Sequence, residues 1–130
     1  MEGEQREITY KEWEQEYDNK IKSAENYVVI FSGSKDAQGV NWCSDCVEVA
    51  DSMKQIQKNA QEQNIPCVLV RAGLRDEWRD PENILRTHKY TKITGGIPTV
   101  ILYQKGSIAR KMEYKELQIE GIVQEFLEDL

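Results

Sequence analysis

Trp42-Cys43-Ser44-Asp45-Cys46 is the segment of this chain with the clearest chemical content. Cysteines at i and i+3 of a helix lie one turn apart on the same side, within reach of a shared disulfide. On a helix's first turn the sulfur of Cys43 would lie near unpaired backbone N–H groups and the positive end of the helix dipole, and both favour thiolate over thiol. An unperturbed thiol with a pKa of about 8.5 is roughly 3 % ionised at pH 7, whereas one shifted to about 7 is half ionised. Cys46, one turn later, is expected to face inward and be less accessible. These positions suggest an exposed Cys43 as nucleophile and Cys46 as resolving thiol. The chemistry open to such a pair is thiol–disulfide exchange, in which one thiolate attacks a disulfide and the second releases the product. Asp45, between them, is a candidate for influencing the Cys46 proton; the alternatives are a like-charge increase in thiol pKa or a solvated acid at a helix start.

A reactive pair of this kind needs a strand that ends just before it and a helix that begins with it. Tyr27-Val28-Val29-Ile30-Phe31 is a continuous β-branched and aromatic run ended by Ser32-Gly33-Ser34, the pattern of a central strand covered on both faces. A polar, glycine-punctuated stretch follows. Cys46, Val49, Ala50, Met53, Ile56 and Ala60 then recur at helical steps, which predicts one long helix over 43–64. Upstream, Thr9 and Glu12 have capping-box spacing, and Tyr10, Trp13, Tyr17 and Ile21 predict a helix over 10–22, with room for an initial strand over 6–8. Pro66-Cys67-Val68-Leu69-Val70-Arg71 reads as a second buried strand. Asp80-Pro81 reads as the N-cap and first position of a short helix carrying Ile84, Leu85 and His88. A hairpin (98–103 and 108–112, turn 104–107) and one amphipathic helix from Lys115 onward close the chain. Strands separated by helices and finished by a hairpin make an α/β class, a three-layer α/β/α sandwich around a central mixed sheet.

With 130 residues, the chain is about one domain's worth, and 1–130 is read as a single domain. Its 17 basic and 23 acidic residues give a net charge of −6, so it offers no broad cationic face for tracking nucleic acid. The apolar runs are far short of the roughly 20 residues that span a bilayer, so no membrane partner is expected. The acidic opening lacks the basic and apolar parts of a secretory signal, and three cysteines cannot all pair, so a cytosolic protein is the expectation.

Ile97-Pro98-Thr99 stands at a strand start after Thr94-Gly95-Gly96. Trp-Cys-x-x-Cys at a strand-to-helix junction and Ile-Pro-Thr at the next-to-last strand resemble the thioredoxin fold. The segments Phe31-Ser32-Gly33-Ser34-Lys35-Asp36-Ala37, Gly39, Trp42-Cys43, Asp45-Cys46, Trp78, Asp80-Pro81 and Asn83 narrow the resemblance to the thioredoxin domain-containing protein 17 family, the thioredoxin-related 14 kDa proteins. That resemblance covers nearly the whole chain. It implies a cytosolic monomeric disulfide reductase with no bound cofactor beyond a redox-active Cys43–Cys46 disulfide. Its electrons would come from NADPH through thioredoxin reductase, and its substrates would be small disulfides such as cystine and selected protein disulfides. It also implies a cis Pro98 facing Cys43, with Ile97 backbone groups pairing with bound substrate; Trp42 and Ser44, beside the nucleophile, are read from their position as further substrate-facing residues. The chain departs from the family pattern at three points. Ser44 replaces the usual proline between the cysteines, Asp51 replaces a later helix proline so that no bend is expected, and Gly95-Gly96 makes the approach to Pro98 one residue longer than usual; relative to ordinary thioredoxins, Ile30 stands in place of a buried strand acid.

Other residues have plainer readings. Cys67 is expected to pack as a small apolar filler, His88 to cover its short helix, and Trp13 and Trp78 to be core or half-buried. Lys35 and Asp36 read either as substrate-orienting charges or as a solvated loop. Two rival functions have distinct requirements. A Cys43, Cys46, Cys67 and His88 zinc site requires all four to converge. A thioredoxin-fold binding module with weak or no catalysis requires docking through Trp42 and Ile97.

Overall fold

A computed structural model describes residues 5–130; the acidic opening Met1-Glu2-Gly3-Glu4 lies outside them. The chain begins with β1 (Gln5–Thr9), a 3-10 turn (Tyr10–Glu12), α1 (Trp13–Glu16) and a π turn (Tyr17–Ile21). Next come β2 (Tyr27–Ser32), α2 (Ser44–Glu48), α3 (Ala50–Glu62), β3 (Cys67–Arg71), α4 (Arg75–Arg79) and α5 (Ile84–Thr87). The hairpin β4 (Thr99–Gln104) and β5 (Ser107–Glu113) is followed by α6 (Tyr114–Leu117) and α7 (Glu120–Glu128). The strands form one mixed sheet in the order β1-β3-β2-β4-β5, with β1, β3 and β2 parallel and the hairpin antiparallel.

All six residues of β2 are buried because successive side chains enter opposite layers. Phe31 turns toward α1, where its ring meets Trp13 edge-on at 5.1 Å. Ile30 turns the other way and shares a cavity wall with Met53 of α3. Trp13, Tyr17 and Ile21 fill the first layer at four-residue spacing, and Met53, Ile56, Ala60, Val123, Phe126 and Leu127 fill the second. Trp13 Nε1–H donates to Thr91 Oγ1 at 2.9 Å, so its buried polar atom is satisfied. This is the expected α/β thioredoxin-like architecture. Among the described residues no helix is long and apolar enough to cross a membrane.

Four local expectations are corrected. The helix expected over 43–64 is interrupted at Val49 (φ −103°, ψ 19°), so α2 and α3 are separate although Asp51 replaces the helix proline. The break therefore has no Pro or Gly behind it, and the expectation of an unbent helix fails. The helix expected at Pro81 begins only at Ile84. Asp80 Oδ1 instead accepts the Glu82 N–H at 2.9 Å, and Asn83 Oδ1 caps α5 through the Leu85 N–H at 3.0 Å. The helix expected over 10–22 is one α turn flanked by 3-10 and π turns, although its buried face is the expected one. The C-terminal helix is split into α6 and α7, joined at Gln118 and Ile119.

Candidate active site

β2 and β3 run in parallel to a common edge, with Ser32 beside Arg71. The carboxyl ends of adjacent parallel strands leave a crevice that open α/β folds commonly use for binding. Here the departing loops are stitched together. The Ala72 N–H donates to Ser32 O (2.8 Å), the Ser34 N–H to Gly73 O (3.1 Å), and the Gly73 N–H to Ser34 Oγ (2.9 Å). The loop from β2 then folds on itself. Lys35 bridges to Asn41, Asp36 Oδ1 accepts the N–H groups of Gln38 (2.9 Å) and Val40 (3.0 Å), and Gly39 takes φ +79°. Asp36 is thus a loop brace.

Asn41 carries this order into the cysteine pair. Its Oδ1 accepts the Cys43 N–H at 2.9 Å, while its Nδ2 donates to Ser32 Oγ at 3.2 Å. Gly33 makes the close approach possible, since a Cβ there would stand 2.6 Å from Asn41 Oδ1 and 3.0 Å from Cys43 Cβ. Cys43 is the N-cap of α2, and its Sγ accepts the Cys46 N–H at 3.2 Å. That bond places a backbone donor on the Cys43 sulfur, the arrangement that favours a thiolate once the pair is reduced. The two cysteines are joined as a disulfide with a Cα–Cα distance of 5.3 Å. Cys46 is fully buried and Cys43 is 6 % exposed. The expectation of an exposed Cys43 sulfur is therefore corrected. Asn41, Trp42 and the Ile97 strand entry crowd it, and it lines a cavity that opens to solvent.

That cavity, of about 430 Å³, is lined by Trp42, Cys43, Ser44 and Asp45 on one side and by Arg75, Trp78, Arg79, Arg86 and the 94–97 segment on the other. Trp42 is half-buried, with its Nε1–H donating to Gly73 O (2.8 Å) and the Arg75 guanidinium 5.5 Å from its ring centroid. Ser44 and Asp45 are exposed. The Ile97–Pro98 bond is cis, Pro98 is buried, and the Ile97 carbonyl oxygen lies 3.8 Å from Cys43 Sγ. A second cavity of about 320 Å³, on the far side of that segment, is lined by Asp45, Gly95, Gly96, Ile97, Pro98, Glu113 and the start of α6. A third, of about 330 Å³, lies behind Cys46, with Ile30, Val47, Ala50, Met53 and Leu69 as its apolar walls.

The seven residues singled out around the cysteines, Trp42 to Cys46 with Ile97 and Pro98, surround these cavities. Cys67 does not join them: it lies 1 % exposed on β3, and burial pushes its thiol up to about 12. His88 is also elsewhere, its Nδ1 2.9 Å from Thr91 Oγ1 and its ring 4.9 Å from that of Tyr17; burial lowers its pKa against the opposing pull of Glu14 and Asp18. The four-residue zinc set is not assembled, and no three metal-ligating side chains converge among the described residues. Asn41, Arg75, Arg79 and Arg86 are the site residues that sequence reasoning missed. Asn41 had one available signal, an Asn two residues before a helix-start cysteine. Arg75 and Arg79 had none, because α4 was not foreseen, and Arg86 stands on the short helix that was expected, with nothing in its spacing to aim it at the cysteines.

A cysteine pair at disulfide distance, set at the start of a helix after a central strand and opposite a cis-proline, defines a thioredoxin-family redox domain. The oxidised mitochondrial thioredoxin 3 of Saccharomyces cerevisiae shares the fold with a TM-score of 0.58 at 18 % identity, over 98 % of this chain and 95 % of that one. Residues 7–129 match the family model described as "Thioredoxin domain-containing protein 17-like, thioredoxin domain". Thioredoxin domain-containing protein 17 of Mus musculus is 36 % identical over 93 residues (68 % of this chain, 71 % of that protein). The Homo sapiens protein of the same name is 35 % identical over 101 residues, 76 % of each. The chain belongs to the thioredoxin domain-containing protein 17-like family.

Proposed function

We propose that this protein is a thiol–disulfide oxidoreductase working as a reductase, with Cys43 as nucleophile and Cys46 as resolver. The observation that carries the reading is the asymmetry of the pair. Cys43 opens onto the front cavity with a backbone N–H on its sulfur, while Cys46 is sealed beneath it at disulfide distance. Reduction begins when the Cys43 thiolate attacks a disulfide R–S–S–R′. The R–S–S–R′ bond breaks, a Cys43–S–S–R bond forms, and R′S⁻ leaves and takes a proton from solvent. Cys46 then loses its proton and attacks Cys43 Sγ, forming the Cys43–Cys46 disulfide and releasing RS⁻. Two electrons pass to substrate, and a dithiol reductant must return them by the same exchange.

The surrounding residues have assignable parts. The Ile97 carbonyl, 3.8 Å from Cys43 Sγ, is placed to pair with the backbone of a bound substrate, with Pro98 setting the loop and Trp42 and Ser44 supplying contact surface. No Asp or Glu lines the cavity behind Cys46, so its proton goes to water or to the departing thiolate. Asp45 flanks both outer cavities, where its charge acts on approaching substrate. In this reading the reductant is NADPH-dependent thioredoxin reductase, and the substrates are cystine-like small disulfides and selected proteins. The protein is monomeric, acts in the cytosol and needs no bound cofactor beyond its own disulfide.

Trapping tests the assignment. Cys46→Ser incubated with cystine and analysed by peptide mass mapping is expected to hold half-cystine on Cys43. Absence of any adduct, or an adduct on Cys67, contradicts the order of attack. Partner binding that survives both Cys43→Ser and Cys46→Ser, with no reductase-coupled turnover by the wild type, would mark a docking module instead.

A further inference from the structure

The front cavity has a sign. The chain carries a net charge of −6, yet three of the residues lining this cavity are Arg75, Arg79 and Arg86, against the single carboxylate of Asp45. The segment that supplies them divides its charges by direction. Arg75 and Arg79 stand one turn apart on α4 and face the disulfide cavity, whereas Glu77, Asp80 and Glu82 line a separate cavity with Tyr10 and Lys11. Apart from Asp76, which lines neither cavity, the charges of this segment are thus sorted onto two sides of the fold.

The arginines are also held with donors to spare. Arg86 sits over the Trp78 ring, its guanidinium carbon 3.9 Å from the ring centroid and its Nε–H donating to Trp78 O at 2.7 Å. Its two terminal nitrogens meet no acceptor among the described residues. Arg75 rests over Trp42, the neighbour of Cys43, and neither it nor Arg79 pairs with a carboxylate among the described residues. A guanidinium fork of this kind matches a carboxylate in plane and charge. Across the Gly95-Gly96-Ile97 segment the second cavity has the opposite character, with Asp45, Glu113 and Glu116 against Lys115. A substrate half carrying negative charge is repelled from that side and drawn to the arginines.

We infer that Arg75, Arg79 and Arg86 form a carboxylate-binding subsite beside Cys43, which selects low-molecular-weight disulfides bearing carboxylates and lays the anionic half in the front cavity. The volume of about 430 Å³ is at the small-ligand end of binding cavities. The selection rests on the proposed reductase reading; the anion site itself does not.

The test separates the two. Dithiodipropionate (a dianion) and hydroxyethyl disulfide (neutral) are compared as substrates, and thiodipropionate, a thioether that cannot exchange, is titrated against the oxidised protein by calorimetry. In wild type the anionic disulfide is expected to have the higher kcat/KM, with the advantage collapsing in 0.5 M salt. In Arg75→Gln/Arg79→Gln the anionic-to-neutral ratio is expected to fall about tenfold and the thiodipropionate Kd to rise by a similar factor, with partial rescue in Arg75→Lys/Arg79→Lys. Lys58→Gln/Lys111→Gln, which removes two exposed charges elsewhere, should leave the ratio in place. An unchanged ratio and Kd in the arginine double variant overturns the subsite. Salt-sensitive thiodipropionate binding in a wild type that reduces neither disulfide would sustain the anion site and overturn the reductase reading.

Discussion

Cys43 and Cys46 stand three positions apart in one disulfide, yet the cavities beside them have little in common. In front of Cys43 the walls are polar and charged: an indole anchored to a backbone carbonyl, three guanidiniums and exposed Ser44 and Asp45. Behind Cys46 the apolar Ile30, Val47, Ala50, Met53 and Leu69 make the larger part of the wall, with Ser32, Asn41, Gln57, Lys35, Lys54 and Arg71 also in the lining. An attacking sulfur must exist as an anion before substrate arrives, so it needs a donor aimed at it, and Cys43 Sγ has the Cys46 N–H. A resolving sulfur needs chiefly to be near the first, and an apolar wall serves that by holding it still. Cys67 marks the far end of this series, since full burial without a donor raises its thiol to about 12 and leaves it chemically quiet.

The contrast can be broken at its ends first. Cys43→Ser is expected to lower reductase-coupled turnover of cystine by at least about 10³-fold, whereas Cys67→Ala, which only trims a core filler, should retain it. Equal losses would erase the distinction between reactive and packing sulfurs. Next comes the rear wall. Ile30 is fully buried on β2, so Ile30→Ala should cost about 2–5 kcal/mol in urea unfolding through lost burial and a residual cavity. A loss under 1 kcal/mol would mean that the wall is loosely packed and does not hold Cys46 in place. The smallest effect belongs to Ser44, the first residue of α2. Cys43 before it is extended (φ −86°, ψ 100°), a conformation compatible with a following proline, and proline suits a helix's first position. Ser44→Pro should therefore stabilise the protein by about 0.4–1 kcal/mol, chiefly by restricting the unfolded chain. Destabilisation would show that the Ser44 backbone N–H or hydroxyl is needed.

What could be read in advance follows the strength of the local signals. β2 and β4 carry uninterrupted apolar runs, Tyr27–Phe31 and Val100–Tyr103, and were legible as buried strands, as was the hairpin turn, where Lys105 (φ +52°) and Gly106 (φ +84°) take the left-handed conformation. The Cys43-to-Cys46 spacing pointed to its own chemistry. Val49 was not legible as a break, because a β-branched residue inside a periodic pattern carries no stop signal and tertiary packing decides its backbone. α4 is five residues long, too short for periodicity to show, and with it Arg75 and Arg79 stayed hidden; Arg86 sits on the expected short helix, but only the packing of α5 against Trp78 of α4 turns it toward the cavity. The N-cap at Asn83 was obscured by Asp80-Pro81, whose own capping signal is locally as good. The Asn83 side chain wins by also donating to Ala72 O and Glu77 O, both at 3.1 Å, tying α4 and α5 to the end of β3.

The most direct measurement is residue-resolved alkylation of the reduced protein by iodoacetamide as a function of pH, read by peptide mass mapping. Cys43 should be labelled at least about tenfold faster than Cys46 at pH 7, with a midpoint below that of an ordinary thiol, while Cys67 stays unlabelled in the native state. Equal rates at Cys43 and Cys46, or a Cys43 midpoint at or above the ordinary thiol value, would contradict the assignment of the front sulfur as the attacking one.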